Sequence, residues 1–225
     1  MLKYKILFFL LFCLFSTCYY SLEGKNNTMP LLGKTIYLDS GHGGADPGAI
    51  YKNIKEKDIN LEISKELEKT LTKLGATVYQ TRYGDYDLAV KNTDNRKRSD
   101  LSRRVNIINE SECDMYISIH LNADTSSTWK GIQVFYDNIN KENKSLAAHM
   151  TKTLKKNFSL TREYKELTDI YLHRKVNILG ILIEVGFLSN ANDRYLLKQK
   201  WYQKKLASII ANGVVNYYKL PIKIT

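Results

Sequence analysis

Cysteine is scarce in this chain. The 225 residues include three; Cys13 and Cys18 stand in the first segment, which leaves Cys113 alone in the remainder. A lone cysteine excludes an internal disulfide and a thiolate zinc cluster there. Placed just ahead of the apolar run Met115 to Ile119, it reads as a small buried residue. Proline is equally rare, at three residues, and no Pro/Ser-rich linker follows Thr35. With no internal repeat either, nothing in the sequence makes room for an appended binding domain. Long hydrophobic runs are also missing. Ile6 to Phe15, preceded by the basic start Met1-Leu-Lys-Tyr-Lys5, is too short to span a bilayer comfortably. It does not alternate polar with apolar residues as a surface helix would, and it suits a signal peptide or N-terminal anchor over residues 1–24. Phe15-Ser-Thr-Cys18 faintly resembles a lipoprotein box, although Thr17 is large for the position before the cysteine. Cleavage, lipidation and an uncleaved anchor all fit, and each places the remainder outside the cytoplasm.

Positive charge is in excess. Lys and Arg total 34 against 23 Asp and Glu, a formal net charge of +11. Such a surface favours polyanions: nucleic acid, anionic lipid or the acidic polymers of a cell wall. Export argues against nucleic acid, and the expected membrane contact is through the N-terminal segment only. Because the basic residues are dispersed along helical stretches, a solvated lysine-rich surface explains them as well as substrate steering does.

From Gly33 onward, apolar runs alternate with amphipathic ones. Strands are expected at Thr35–Asp39, Thr77–Thr81, Met115–Ile119, Ile132–Tyr136, Asp169–Leu172 and Gly180–Glu184, which are rich in Ile, Val and Tyr. Ile59, Ile63, Leu67, Leu71 and Leu74 recur at helical spacing, and Gly75 closes that helix. Similar stripes run over Ser99–Asn109, Lys144–Phe158 and Gln203–Tyr218. The expected fold is α/β: a single domain with a twisted, largely parallel sheet of about six strands and helices on both faces. Sites in such sheets form at the carboxyl ends of strands. The irregular, polar stretch Tyr83 to Lys97 has the character of a binding loop or of a mobile surface loop.

Of the four histidines, two stand where a site is expected. His42, in Ser-Gly-His-Gly-Gly, follows the first strand, and the glycines let the backbone approach closely. His120 ends the strand Tyr-Ile-Ser-Ile. His149, in a helical stripe, and His173, in Leu-His-Arg-Lys, are accounted for by packing. Glu56 opens the first helix, where an acid complements the helix dipole, yet a loop can also fold it back to His42. Glu184 is the sharpest clue. It lies within Ile181-Leu-Ile-Glu-Val-Gly-Phe, where an unpaired carboxylate costs several kcal/mol, so it needs a cation, an activated water or a strong donor. Asp39, at the first strand's end, either orients His42 or caps the loop. Two imidazoles and a carboxylate form a catalytic zinc site with an open position for water, and a second carboxylate serves as general base.

Leu38-Asp-Ser-Gly-His-Gly-Gly-Ala-Asp-Pro-Gly-Ala49, Lys55-Glu-Lys-Asp58, Ser118-Ile-His-Leu-Asn-Ala123 and Ile183-Glu-Val-Gly-Phe-Leu-Ser-Asn190 together resemble the zinc-dependent N-acetylmuramoyl-L-alanine amidases. The likeness runs from Leu31 to Tyr218, and residues 31–220 are expected to be the catalytic domain. Ser40 replaces a usual proline, and Tyr51-Lys-Asn a more glycine-rich stretch; neither is a ligand position. The resemblance implies one zinc ion held by His42, Glu56 and His120, with Glu184 catalytic, acting on the amide between the muramic acid lactyl group and L-alanine in peptidoglycan. Arg82, Asn122 and Gln133 are the expected substrate contacts. Trp129-Lys-Gly-Ile-Gln-Val-Phe-Tyr136 and Asp100-Leu-Ser-Arg-Arg104 resemble the spore-cortex, germination-associated subfamily, which implies a step toward muramic-δ-lactam. The segment after Tyr136 is too short for the autoinhibitory helix of cell-division relatives, which leaves control to expression, location or an activating protein partner. Two rival readings fit the same residues: a zinc carboxypeptidase acting on wall peptides, and a non-catalytic wall-binding protein of the same fold.

Overall fold

The computed structural model describes residues 29–219. The apolar N-terminal run, Cys13 and Cys18 lie outside the described residues, and so does the expected signal peptide or anchor. The chain runs through β1 (Thr35–Ser40), a small hairpin of β2 (Ile50–Tyr51) and β3 (Ile54–Lys55), α1 (Glu56–Lys73), β4 (Thr77–Gln80), α2 (Arg96–Glu110), β5 (Met115–Asn122) and β6 (Gln133–Tyr136). It continues through α3 (Asn143–Asn157), β7 (Lys165–Glu166), β8 (Gly180–Phe187), α4 (Ala191–Leu197) and α5 (Lys200–Tyr218).

One six-stranded sheet organises the molecule, in the order β4-β1-β5-β8-β6-β7. The pairs β1/β4, β1/β5 and β5/β8 are parallel, while β6 runs antiparallel to β8 and β7 follows β6 in parallel. The sheet is therefore largely parallel, as expected, with a reversed edge. β5 and β8 are buried along almost their whole length, which is why both read as continuous apolar runs. On one face, α1 and α3 pack against α5, and Ile36, Ile63, Leu67, Ile117, Met150 and Ile210 share a core. The other face is covered by α2 and the turns around Leu172, with Val105, Ile108, Tyr116, Leu172 and Val176 in contact. Cys113 is free and buried at the edge of this second core, in agreement with its expected role.

One expected strand is absent. Asp169–Leu172 forms bends and turns, and the edge strand lies earlier, at Lys165–Glu166. Leu172 is anchored in the second core and Tyr171 packs beside it beneath Arg98, so the run supplies packing anchors to a turn and does not alternate between two sheet faces. The helix expected to close at Gly75 does so, with that glycine at φ +97°.

Candidate metal centre

The carboxyl-terminal halves of β1, β5 and β8 lie side by side; His42 follows β1 by two residues, while His120 and Glu184 stand within those halves of β5 and β8. Within the sheet His120 pairs with Glu184 across β5/β8, and Glu184 pairs with Gln133 across β8/β6, so these residues form one row. His42 joins the row from the loop after β1. Its φ is +63°, a left-handed conformation unusual for a residue with a side chain, and Gly43 and Gly44 beside it are also at positive φ.

Two glycines in this loop are dictated by the ligands themselves. A Cβ on Gly41 would come within 2.2 Å of the His120 ring, and one on Gly48 within 2.6 Å of both Glu56 Oε2 and the His42 ring. The loop is held from beneath by Arg82 and Arg104. Arg82 donates to the carbonyls of Ser40, Gly41, Lys57 and Gly84. Arg104 bridges Asp39 at 2.7 Å and Asp100 at 2.9 Å, and donates to the carbonyls of Ser40 and His42.

Glu56, the first residue of α1, is folded back onto this row. Its Oε2 lies 3.2 Å from His42 Nε2 and its Oε1 3.1 Å from His120 Nδ1. The backbone N–H groups of Ala49 and Leu121 and the side chain of Asn60 donate to the same carboxylate. The metal-ligating atoms of His42, Glu56 and His120 all lie within 4.8 Å of one another, a group able to hold a metal ion. The donor set, two imidazoles and a carboxylate, suits zinc. His42 Nδ1 lies 2.9 Å from Asp46 Oδ2, which fixes the ring and turns Nε2 toward the shared centre. Asp46 therefore orients His42, the role that the position of Asp39 at the strand end had suggested for Asp39. Asp39 is instead buried beneath the loop with Arg104, Thr81 and Ser118. Burial would raise its carboxyl pKa, but the Arg104 charge, helped by the Ser118 hydroxyl, holds it well below the usual range.

The protonation of these groups follows from their surroundings. Burial pulls the His42 imidazole down, yet the hydrogen bonds to and charges of Glu56 and Asp46 prevail and raise it to about 9. The same contacts, with those from His120, hold Glu56 far below the carboxylate range against its own burial. Glu184 behaves oppositely. Burial pushes it up to about 7, with the nearby histidines pulling down and Glu56 pushing up. Glu184 as a whole keeps a partly exposed edge, but its Oε2 is sealed from solvent and has no hydrogen-bond partner among the described residues.

The remaining expected residues divide. Asn122 and Gln133 line a cavity of about 280 Å³ with Trp129, Arg162, Lys165 and Phe187. Arg82 does not fit its expected role as a substrate contact. It is completely buried, and its guanidinium N–H groups are taken by the carbonyls beneath the loop. On the other side of the centre, a cavity of about 390 Å³ is lined by His42, His120, Asp46, Lys97 and Tyr171. The loop before α2, expected as a binding loop or a mobile surface loop, is tied to the His42 loop: Asp85 accepts from Gly44 N–H and Asp87 from Ala45 N–H. His173 is buried against the Tyr116 hydroxyl at 2.7 Å and His149 bonds the Ser145 carbonyl, so both are packing residues, as expected. Sequence reasoning missed Asp46, for which an acid four residues after a loop histidine was a usable signal.

Comparison with known proteins gives the family. A family model described as N-acetylmuramoyl-L-alanine amidase matches residues 36–216. The germination-specific N-acetylmuramoyl-L-alanine amidase of Bacillus subtilis (strain 168) is 42% identical, over 96% of this chain and 95% of that protein. Among solved structures, the CwlD amidase from Clostridioides difficile, in complex with the GerS lipoprotein, superposes with a TM-score of 0.78 at 39% identity, covering 82% of this chain and 98% of that one. An N-acetylmuramoyl-L-alanine amidase from Clostridium difficile 630 gives 0.73 at 32% identity, covering 82% and 96%.

Proposed function

The chain belongs to the N-acetylmuramoyl-L-alanine amidase family, and from that premise we propose that His42, Glu56 and His120 hold one zinc ion while Glu184 moves the proton. The reaction is hydrolysis of the amide between the muramic acid lactyl group and L-alanine. The observation that carries the assignment is the convergence of three donors beside a carboxyl oxygen that is buried without a partner. A bound zinc ion supplies Lewis acidity, polarising the carbonyl and lowering the pKa of water in its open position. Glu184 accepts the proton of the attacking water at Oε2 and returns it to the nitrogen of the leaving amine. A carboxyl raised to about 7 by burial is suited to both halves of that transfer near neutral pH. Asp46 holds the His42 ring, and the Arg82 and Arg104 guanidinium groups hold the loop that carries it. Asn122 and Gln133, in the adjoining cavity, are the substrate contacts.

Residues 31–220 form the catalytic domain in this reading, and residues 1–24 export it as a signal peptide or anchor. No helix among the described residues is long and apolar enough to cross a membrane. The germination-specific relative supports spore cortex as the substrate, in a step toward muramic-δ-lactam. The relative solved with a lipoprotein supports an activating protein partner for this chain as well.

The test is Glu184→Gln. Zinc content, by elemental mass spectrometry of the folded protein, should stay at the wild-type value, while turnover falls by about 10²- to 10⁴-fold, the usual worth of a positioned acid–base group. Wild-type turnover by the variant would remove Glu184 from the mechanism.

A further inference from the structure

The row across the sheet gives the centre a direction. Glu184 pairs with His120 on one side and with Gln133 on the other. The metal-ligating residues lie on the His120 side. The cavity of about 280 Å³ lies on the Gln133 side, over β6 and the chain before β7. Resting on the proposed role of Glu184 as proton donor to the leaving nitrogen, the amine side of the cleaved bond lies over Glu184, and the peptide beyond it continues into this cavity.

The cavity wall is chemically specific. The Arg162 guanidinium carbon sits 4.7 Å from the centroid of Trp129 and 5.7 Å from that of Phe187, so aromatic rings hold the planar fork. The Arg162 backbone N–H is fixed to the Ile132 carbonyl at 2.8 Å. Lys165 lines the same wall. Neither cation has an ion-pair partner among the described residues: the adjacent Glu163 is taken by Lys155, and Glu166 by Asn138. The acid that lines the cavity, Asp124, accepts at Oδ1 from the Ser126 N–H and the Thr125 hydroxyl of its own turn and forms no ion pair with either cation. A basic pair in one cavity wall, one member stacked against aromatic rings, is a receptor for a carboxylate.

We propose that Arg162, supported by Lys165 and held flat by Trp129, binds a free carboxylate on the leaving peptide, downstream of the L-alanine whose amide is cut. The enzyme then discriminates acidic stems from amidated ones. Trp129, about half exposed, is the positioning residue for the guanidinium.

The experiment uses two N-acetylmuramoyl-L-alanyl peptides, each blocked as its γ-methylamide, that differ only in their second residue, D-isoglutamate or its α-carboxamide D-isoglutamine, so that one peptide has a free carboxylate and the other has none. The zinc-loaded wild type is expected to favour the acid in kcat/KM by about 10- to 100-fold, the range for a hydrogen bond to a charged group, with the difference carried by KM. Arg162→Gln should bring acid and amide to equal kcat/KM, and Arg162→Lys should restore part of the preference. Equal rates for both peptides in the wild type, or an undiminished preference in Arg162→Gln, would overturn the subsite. A second measurement does not depend on turnover. In a Trp201→Phe background Trp129 is the one remaining tryptophan, and titration with the γ-methylamide of L-alanyl-D-isoglutamate should change its fluorescence at concentrations at least tenfold lower than the γ-methylamide of L-alanyl-D-isoglutamine does. Indistinguishable titrations reject the subsite. Discrimination in fluorescence together with wild-type turnover by Glu184→Gln would retain it and reject the proton-transfer role from which its direction was taken.

Discussion

His42 carries an imidazole that, without metal, sits between two carboxylates. Burial favours its neutral form, but Glu56 and Asp46 outweigh burial and raise it to about 9, so near neutral pH it holds a proton. Zinc requires the neutral ring, and binding must expel that proton. Calorimetric zinc titrations at pH 7, in buffers of different ionisation enthalpy, should therefore report release of about one proton. Affinity should rise with pH until about 9. Binding at pH 7 without proton release would mean that His42 is neutral in the free protein or does not bind zinc. The stability consequence has a definite sign. A raised imidazole pKa stabilises the metal-free fold fully below 6.5, and that contribution is lost as pH rises through about 9. At this scale Glu184 was the most legible residue, because burying a carboxylate in an apolar run is costly unless a cation or an activated water meets it. Arg82 was the least legible. A sequence shows an arginine after a strand but cannot show that four backbone carbonyls converge on it.

Elements set the positions of these side chains, and the close approaches between elements depend on absent side chains as much as on present ones. The loop after β1 passes the end of β5 so closely that Gly41 has no room for a methyl group beside His120. Gly41→Ala should push the His120 ring off the centre and weaken zinc binding by roughly 10- to 100-fold, the usual effect of disturbing the groups that orient a ligand. Competition against a chelating dye measures this, and wild-type affinity would show that the loop and β5 are not tightly apposed in solution. The strands that carry the site were readable because β1, β5 and β8 are largely buried parallel strands, rich in Ile, Leu and Tyr, each short and set off by polar or glycine-bearing chain. The reversed direction of β6 was not, since alternation looks the same whichever way a strand runs. Asp169–Leu172 misled for a related reason. Tyr171 and Leu172 are apolar because each packs into the second core, and composition alone does not separate such anchors from a short strand.

Over the whole molecule, the sheet brings motifs more than 140 residues apart in sequence, from His42 to Glu184, onto one edge. The centre opens between two cavities of different character, one beside the metal-ligating histidines and one beside Gln133 with its basic wall. A substrate with a glycan on one side of its cleaved bond and a peptide on the other suits that division. The net charge of +11 suits an anionic wall polymer. The family was legible because four motifs occur together in one chain, and the α/β architecture because apolar runs alternate with amphipathic ones, whereas the cavities depend on residues such as Trp129, Arg162 and Phe187 that come from separate segments. The most direct test is mass spectrometry of muropeptides after purified peptidoglycan is incubated with protein verified to contain zinc. The expected products are free stem peptides that begin with L-alanine and glycan that keeps bare lactyl groups. Peptides shortened only at their carboxyl ends, with the lactyl amide left intact, would contradict the amidase mechanism.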